Sequence, residues 1–588
     1  MQKRLLILAS LLIFALSACN ASTAPASGQL TIGDIQGCAH RSPYEGKRVE
    51  NVEGIVTHKF SNGFSFQSLL SDSRDCTSDA LFVKTEGYPK VSVGQVLRID
   101  GVVVEYTPGN ESDHNLSLTE IHDPLITLIR SDANLPVPIE LGASGGQVPL
   151  NWVWQTGSFN IQENGVDYYE SLEFMLVEVR DGIVVGPKND YNEFFVLPSS
   201  WMTDNVLSPE GVLLQRVDDE NPEKIMVNAA ASFTQKVNVG DRLQAPIIGI
   251  MNYSYGNYQI WTIQNPIIAS VEIIESDFET EKGTLSIATY NLENFSRYDD
   301  AARIKKIGCQ IARDMYSPDI IVLNEVLDDS GVQDDGTMSA ERTLQTLVDA
   351  ILSCGGAEYG YSDNPPQDGS DGGITGGNIR TAVIYRLDTG ISLNSSDGST
   401  NKVSVSAGDV YLGTNPVRLF ANETVFRGTR KPTLWAFNWN GETILVMGVH
   451  LVSQSASAPA WGDVQPPEKP EQQKREQQMQ MIVEFIKDLL KQSSDVKLIL
   501  AGDFNDYPWS NTLSIATTGG VLVQPDDQLM ESNYTYIHDG NGFQFDYLLM
   551  AEALAARFKD VTILHINTLF DASRQISDHD PVIITFGR

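Results

Sequence analysis

Six short apolar runs in the second half of the chain each finish on, or start from, a side chain that needs water, a proton or a cation. Leu285 to Tyr290 runs into Asn291, Asp319 to Asn324 into Glu325, Thr443 to Val449 into His450, and Lys497 to Gly502 into Asp503, with Asn505 two residues on. Asp546 opens Tyr547 to Met550, and Asp578 and His579 stand just before Pro581 to Phe586. Runs this apolar read as buried strands. A buried strand presents a polar group without an unpaired burial cost only near its end, so the pattern asks for sheets whose strand ends share one rim. Taken singly, an Asn, Asp or His at a strand end is a turn residue or a cap. Six of them in one chain order point to a site.

Helical periodicity separates these runs. Asp299 to Met315 carries Ile304, Ile307 and Ile311 on one stripe, Ala340 to Leu352 carries Leu344, Leu347, Val348 and Ile351, and Glu476 to Leu490 carries Met479, Ile482, Val483, Ile486 and Leu490. Strands alternating with amphipathic helices predict an α/β domain over about 284–588. With 588 residues the chain exceeds one ordinary core. Ahead of an acidic linker, Glu275 to Lys282, two regions, 30–131 and 145–275, show short β-type runs such as Arg48 to Thr57, Val96 to Val104, Phe174 to Val185 and Tyr258 to Ile268, broken by Gly, Asn, Asp and Pro. That is the pattern of small all-β barrels or sandwiches. Aromatic rows at Phe60, Phe64 and Phe66 and at Tyr253, Tyr255, Tyr258 and Trp261 read mostly as barrel core, with stacking of bases or sugars as the other use.

The chain carries 41 basic and 76 acidic side chains, a formal charge of −35. This excludes a protein that holds nucleic acid by bulk electrostatics; an anionic substrate would need a locally positive site or a bound cation. The N-terminus reads as an address: Lys3 and Arg4, an apolar stretch from Leu5 to Leu16, then small residues. Leu16-Ser17-Ala18-Cys19 resembles the lipobox of bacterial lipoproteins, which implies cleavage after residue 18, diacylation of Cys19 and, with Asn20 following, transport to the outer membrane or cell surface. Two acyl chains anchor where one is marginal, and residues 20–29 read as a tether. No later segment is long and apolar enough to span a bilayer. The remaining Cys38, Cys76, Cys309 and Cys354 are an even number in an exported chain, and proximity pairs Cys38 with Cys76 and Cys309 with Cys354.

Tyr290-Asn291-Leu292-Glu293-Asn294-Phe295, Leu323-Asn324-Glu325-Val326, Gly448-Val449-His450-Leu451, Gly502-Asp503-Phe504-Asn505-Asp506 and Ser577-Asp578-His579-Asp580-Pro581-Val582 resemble the ordered motif set of the endonuclease/exonuclease/phosphatase superfamily. Within it the chain is similar to the large extracellular deoxyribonucleases of bacteria, which carry OB-fold-like modules ahead of the catalytic domain. The resemblance implies a four-layered α/β/β/α sandwich and a metal-dependent phosphodiester hydrolase acting on DNA, with RNA as a further substrate and the membrane met only through the lipid. It implies Mg²⁺, with Mn²⁺ as substitute and Ca²⁺ as a structural or activating ion, held by Glu325, Asn291 and Asp578. His579 paired with Asp546 would face the scissile phosphate, Asp503 and Asn505 would position water and phosphate, and His450 would be the candidate acid for the leaving oxygen. Arg430, from Arg430-Lys431-Pro432, and Arg380, from Asn378-Ile379-Arg380, would hold the backbone, since a guanidinium fork matches two phosphate oxygens.

The sequence departs from the pattern at Asn324, where Gln is usual, at Leu327, where pancreatic-type enzymes have an arginine, and in a long insertion, Ser453 to Pro470, read as a surface loop shaping access. Two other readings use the same residues. One is a phosphohydrolase acting on lipid or small-molecule phosphoesters, whose membrane-inserting aromatic hairpin has no clear counterpart here, although Pro459 to Trp461 sits in the long loop. The other is a surface polymer-binding protein with an inactive C-terminal half.

Overall fold

The computed structural model describes residues 30–587 except 143–147, 149–150, 203–206, 274–277, 279–282, 397, 399, 407 and 526–532. The leader, Cys19, the tether and all of the acidic linker but Phe278 lie outside the described residues. Among the described residues no helix is long and apolar enough to cross a membrane.

The first region closes into a five-stranded barrel, in the order Arg48–Phe60, Gly63–Gln67, Ala80–Lys84, Leu118–Arg130, Val96–Tyr106 and back to the first strand. Its core holds Val52, Val56, Phe64, Phe66, Leu81, Val83, Leu97, Ile99 and Ile121. The short helix Ile32–Gln36, started by a Thr31/Asp34 capping box, adds Ile32 and Ile35 to that core. Phe64 and Phe66 are therefore core, as their row predicts.

The second region, read as a small all-β barrel or sandwich, is largely β but is one large sheet. Nine strands, from Ile139–Glu140 to Ile268–Ala269, follow one open path. Its middle contains a parallel pair, Ile225–Asn228 against Asn257–Thr262. A parallel pair needs a long return connection, which a sequence of hairpin-like runs and turns does not announce. The excursion between Pro198 and Ile225 also leaves the sheet: Val212 and Leu214 pack with Tyr534, Leu569 and Phe570 of the C-terminal region. A reverse insertion also occurs: Ser453 to Pro470, described throughout, holds no helix or strand, as a loop reading asks, but part of it is buried. Trp461, in the segment read as a surface loop, is only 6% exposed and sits in the core of the middle region, edge-on to Tyr169 and Tyr258 with ring centroids at 5.6 and 6.1 Å.

The C-terminal region is the four-layered sandwich. One six-stranded sheet runs Tyr359–Asp363, Arg380–Arg386, Ile320–Val326, Leu285–Phe295, Val582–Phe586, Phe558–Ile563. The other is built on Thr433–Trp439, Glu442–His450, Lys497–Asp503 and Asp546–Met550, with Ser392–Leu393 and Val417–Arg418 beside Thr433–Trp439. Side-chain alternation assigns the layers: Leu285, Ile287, Ile320 and Val322 meet Trp435, Val446, Ile499 and Leu548 between the sheets. Ala288, Tyr290, Ile321 and Leu323 face outward onto Ile307, Ile311, Leu344 and Leu347. The stripe Met479, Ile482, Val483 and Ile486 of the helix Gln472–Gln492 covers the second sheet. The predicted helix over 299–315 begins at Ala301, where the Asp300 carboxylate accepts from the Ala302 N–H, and widens to a π turn after Cys309. Disulfides join Cys38 to Cys76 and Cys309 to Cys354, as proximity in sequence suggests.

Candidate active site

Strand register gathers the polar ends. His450 lies opposite Asp503 in the parallel pairing of their strands, and Asp503 lies opposite Asp546 in the antiparallel pairing on its other side. Three neighbouring strands of one sheet thus end in a row of His, Asp and Asp. Gly502 is required for this row: at φ +144° a Cβ there would meet the Val449 carbonyl oxygen at 1.9 Å. In the facing sheet Asn291 and Asn324 are register partners, and Glu325 follows with φ 60° where the ladder shifts. That left-handed backbone, uncommon for a non-glycine residue, re-aims the carboxylate at a strand end.

Hydrogen bonds tie the two sheets together at this rim. Asn324 donates from Nδ2 to the Val449 carbonyl (2.9 Å) and to Thr381 Oγ1 (3.1 Å), and its Oδ1 accepts from the Asp503 N–H (3.2 Å). Asn291 Nδ2 donates to Glu325 Oε1 (3.3 Å) and Asp503 Oδ2 (3.2 Å). Ser577 Oγ donates to the Asn291 carbonyl (2.7 Å) and accepts from the His579 N–H (3.2 Å), which delivers His579 to the same rim. The His579 ring then places Nδ1 2.7 Å from Asp546 Oδ2 and Nε2 3.9 Å from Asp503 Oδ2. His450 Nε2 lies 3.5 Å from Asp503 Oδ2 and 3.9 Å from Glu325 Oε1.

The environment separates the titrating groups. Burial pushes Asp503 up to about 7, with Asp546 and Glu325 adding to the rise and His579 opposing it. Burial works against a charged His579, yet the carboxylates of Asp546, Asp578 and Asp503 hold it well above its ordinary value. Burial, Arg430 and His579 together push His450 well below it, so that ring is neutral. Two imidazoles at one rim are thus prepared oppositely, one as a cation and one as a neutral ring.

Arg430 lines the cleft, donates from Nη2 to the Leu451 carbonyl (2.8 Å), and keeps a buried Nε–H without a hydrogen-bond partner among the described residues. A buried guanidinium with an unused donor suits an anion entering the cleft. Arg380 is not part of this arrangement. Its guanidinium is turned onto Asp363 (2.8 Å) and the Asn378 carbonyl, and it is not among the residues that line the cleft. Lys431 is likewise committed, to Asp371 at 2.6 Å.

The donor chemistry fits a hard divalent cation. Glu325 and Asp578 offer carboxylate oxygens to the cleft, and the mutual repulsion of Asp503, Asp546 and Glu325 calls for positive charge there. Two carboxylates suit an ion such as Mg²⁺, which keeps several water ligands. Asn291 faces the carboxylates with its NH₂ while its Oδ1 accepts from the Glu293 N–H (3.0 Å); to offer a metal oxygen, the amide must turn over.

Glu325, Arg430, His450, Asp503, Asn505, Asp578 and His579 therefore line one cleft of about 590 Å³, with Asn291 and Asp546 buried behind it. Sequence reasoning missed an aromatic wall of Tyr507, Tyr536, Phe543 and Phe545. Tyr536 lies over the His579 ring with centroids 4.8 Å apart. The alternation Phe543-Gln544-Phe545 just before Asp546 was the available signal.

Residues 288–579 match the model of the Endonuclease/Exonuclease/phosphatase family, and residues 140–272 match a domain of unknown function (DUF8508). No curated protein matches the chain. Among solved structures, D. rerio TDP2 complexed with single strand DNA product is similar at 17% identity over 52% of this chain and 99% of that one, with a TM-score of 0.34. An endonuclease/exonuclease/phosphatase family protein from Bacteroides thetaiotaomicron is similar at 17% identity over 51% and 94%, with a TM-score of 0.32. One from Leptotrichia buccalis is similar at 16% over 52% and 100%, with a TM-score of 0.35.

Proposed function

Residues 288–579 belong to the endonuclease/exonuclease/phosphatase family, and on that premise we propose that this phosphoester hydrolase is an exported, lipid-anchored, metal-dependent endonuclease that cleaves phosphodiester bonds of DNA, and of RNA, with little sequence preference. The observation that carries the reading is one cleft lined by His450, Asp503, His579, Glu325 and Arg430, with Asp546 buried behind it against His579. In this reading Arg430 and the His579 imidazolium meet the non-bridging phosphate oxygens. Asp503, poised near 7, takes the proton of a water positioned with Asn505, and that water attacks phosphorus. The P–O bond opposite breaks, and the leaving oxygen is protonated from solvent. His450, held well below its ordinary value and 3.5 Å from Asp503, would orient Asp503 and the water. Glu325 and Asp578 would hold Mg²⁺ or Mn²⁺, which when bound supplies positive charge to the phosphoryl group. These contacts address phosphate, which carries no base code, so cleavage is sequence-tolerant.

A metal-by-substrate screen on the purified protein tests the reading. Nicking of plasmid DNA with Mg²⁺, alone or with Ca²⁺, is expected; plasmid left intact under both conditions ends it. Phosphocholine release from sphingomyelin while DNA survives would favour the lipid reading instead; Trp461, in the long loop, is buried. Anchoring through Cys19 is tested separately: Cys19→Ser should move the protein from the membrane fraction to the soluble one.

A further inference from the structure

A second cleft, also of about 590 Å³, opens beside the first and shares Asp578 and His538 with it. Part of its lining comes from the middle region, which the reaction chemistry does not use: Lys188, Tyr191 and Tyr255 line it together with Asp578. Both tyrosines are solvent-exposed, Tyr191 to 80% and Tyr255 to 86%. Tyr255 is out of keeping with its backbone. Ser254 pairs with Asn257, so Tyr255-Gly256 is a two-residue hairpin loop, with φ of 50° and 74°. A turn with both φ values positive is made for Asn-Gly or Asp-Gly, and a bulky ring at its first position is disfavoured. The ring gains no burial in exchange, whereas its row-mates Tyr253 and Tyr258 are core. A strained, exposed aromatic beside a reaction centre suggests use by a ligand.

The hairpin is also fixed in place. A Cβ on Gly256 would meet Pro459 at 2.8 Å, Asn257 Nδ2 donates to Asp539 Oδ2 (3.2 Å), and Gly186 lies against Gly540. The middle region therefore presents Tyr255 at a set position relative to Asp578.

We propose that the middle region carries a stacking shelf, Tyr255 with Tyr191, for bases of the single-stranded nucleic acid that continues from the phosphate at Asp578 and His579. The proposal rests on the nuclease reading for the identity of the strand. Charge agrees with stacking as the source of affinity: Lys188 shares the lining of this cleft with Glu193, Asp539 and Asp578, so the phosphates gain little here, while every base offers a ring face. A duplex hides those faces, so the shelf selects unpaired strand.

Binding of labelled oligothymidine to the full chain, in EDTA so that nothing is cut, tests the shelf apart from the chemistry. Tyr255→Asn, which suits the turn, should keep or raise the melting temperature yet weaken strand binding about five-fold or more, the loss of one stacked base. Tyr191→Ala should weaken it similarly, Tyr255→Trp should retain it, and the matching duplex should bind less tightly than the strand. Equal strand binding by the parent and Tyr255→Asn, or no strand binding by the parent, overturns the shelf. Strand binding that depends on Tyr255 together with intact plasmid after Mg²⁺ is restored would instead sink the nuclease reading and leave the shelf standing.

Discussion

The Nδ1 of His579 stands 2.7 Å from Oδ2 of Asp546, and the same carboxylate oxygen accepts from Thr535 Oγ1 at 2.7 Å. Asp546 is fully buried, so its charge acts on the ring with little screening. Asp546→Asn keeps the shape and removes the charge that holds His579 as a cation. Steady-state kinetics on DNA should show kcat/KM falling by about 10²- to 10⁴-fold, the range seen when a histidine loses its carboxylate or its proton-transfer role. An unchanged rate in a folded variant would remove His579 from the reaction centre.

Glu325 is placed by a left-handed φ and by the Asn294 N–H, which donates to its Oε2 at 2.9 Å. Glu325→Gln keeps an oxygen but loses the charge that a hard cation requires. The Mg²⁺ concentration for half-maximal cleavage should rise about ten-fold or more, while the variant's melting temperature without metal stays close to the parent's. A metal titration that superimposes on the parent's would take Glu325 out of the metal site.

The reaction rim was legible because two constraints act along the chain itself. Hydrophobic runs fix which segments are buried strands, and a polar residue closing such a run must sit at a sheet edge, so Asn291, Glu325, His450 and Asp503 were found from order alone. Arg380 shows the limit. A guanidinium reaches several partners from one backbone position, and here Asp363, from a neighbouring strand, claims it. Trp461 shows another: its apolarity required burial, but only the tertiary arrangement decides that it is buried in the middle region and not against its own. The open nine-stranded sheet was hidden for the same reason, since parallel return of Ile225–Asn228 is a long-range pairing with no local signature.

His40 joins the first region to the second and makes stability depend on pH. Its Nε2 lies 2.6 Å from Asp167 Oδ1, and its Nδ1 lies 3.4 Å from Glu170 Oε2. Burial opposes the charge, but the two carboxylates raise the ring to about 10 from 6.5. A raised folded-state value means the contribution is complete below about pH 6.5 and is lost as pH climbs toward 10. Urea denaturation should show the parent weakening across that window, and His40→Gln should be less stable at pH 6 with a flatter decline. Equal slopes for the two proteins would show that His40 is not the linked group.

Trp461 is one of the residues through which the C-terminal region grips the middle one, beside the contact of Val212 and Leu214 with Tyr534, Leu569 and Phe570. Trp461 leaves the catalytic sandwich on the Ser453 to Pro470 insertion and fills a space bounded by Tyr169 and Tyr258. Truncating a buried Trp to Ala costs about 3–5 kcal/mol, through lost transfer energy and the cavity left behind. Because the wall of that cavity belongs to a different region, the cost should appear as uncoupling: thermal unfolding of Trp461→Ala should split into two transitions where the parent shows one, with limited proteolysis opening the insertion first. The same insertion supplies Pro459, which braces Gly256. Freeing it should loosen the Tyr255 hairpin, so Trp461→Ala should weaken oligothymidine binding, and adding Tyr255→Asn should cost less than the two losses multiplied together. Full multiplication of the two losses would mean that the grip and the shelf act independently.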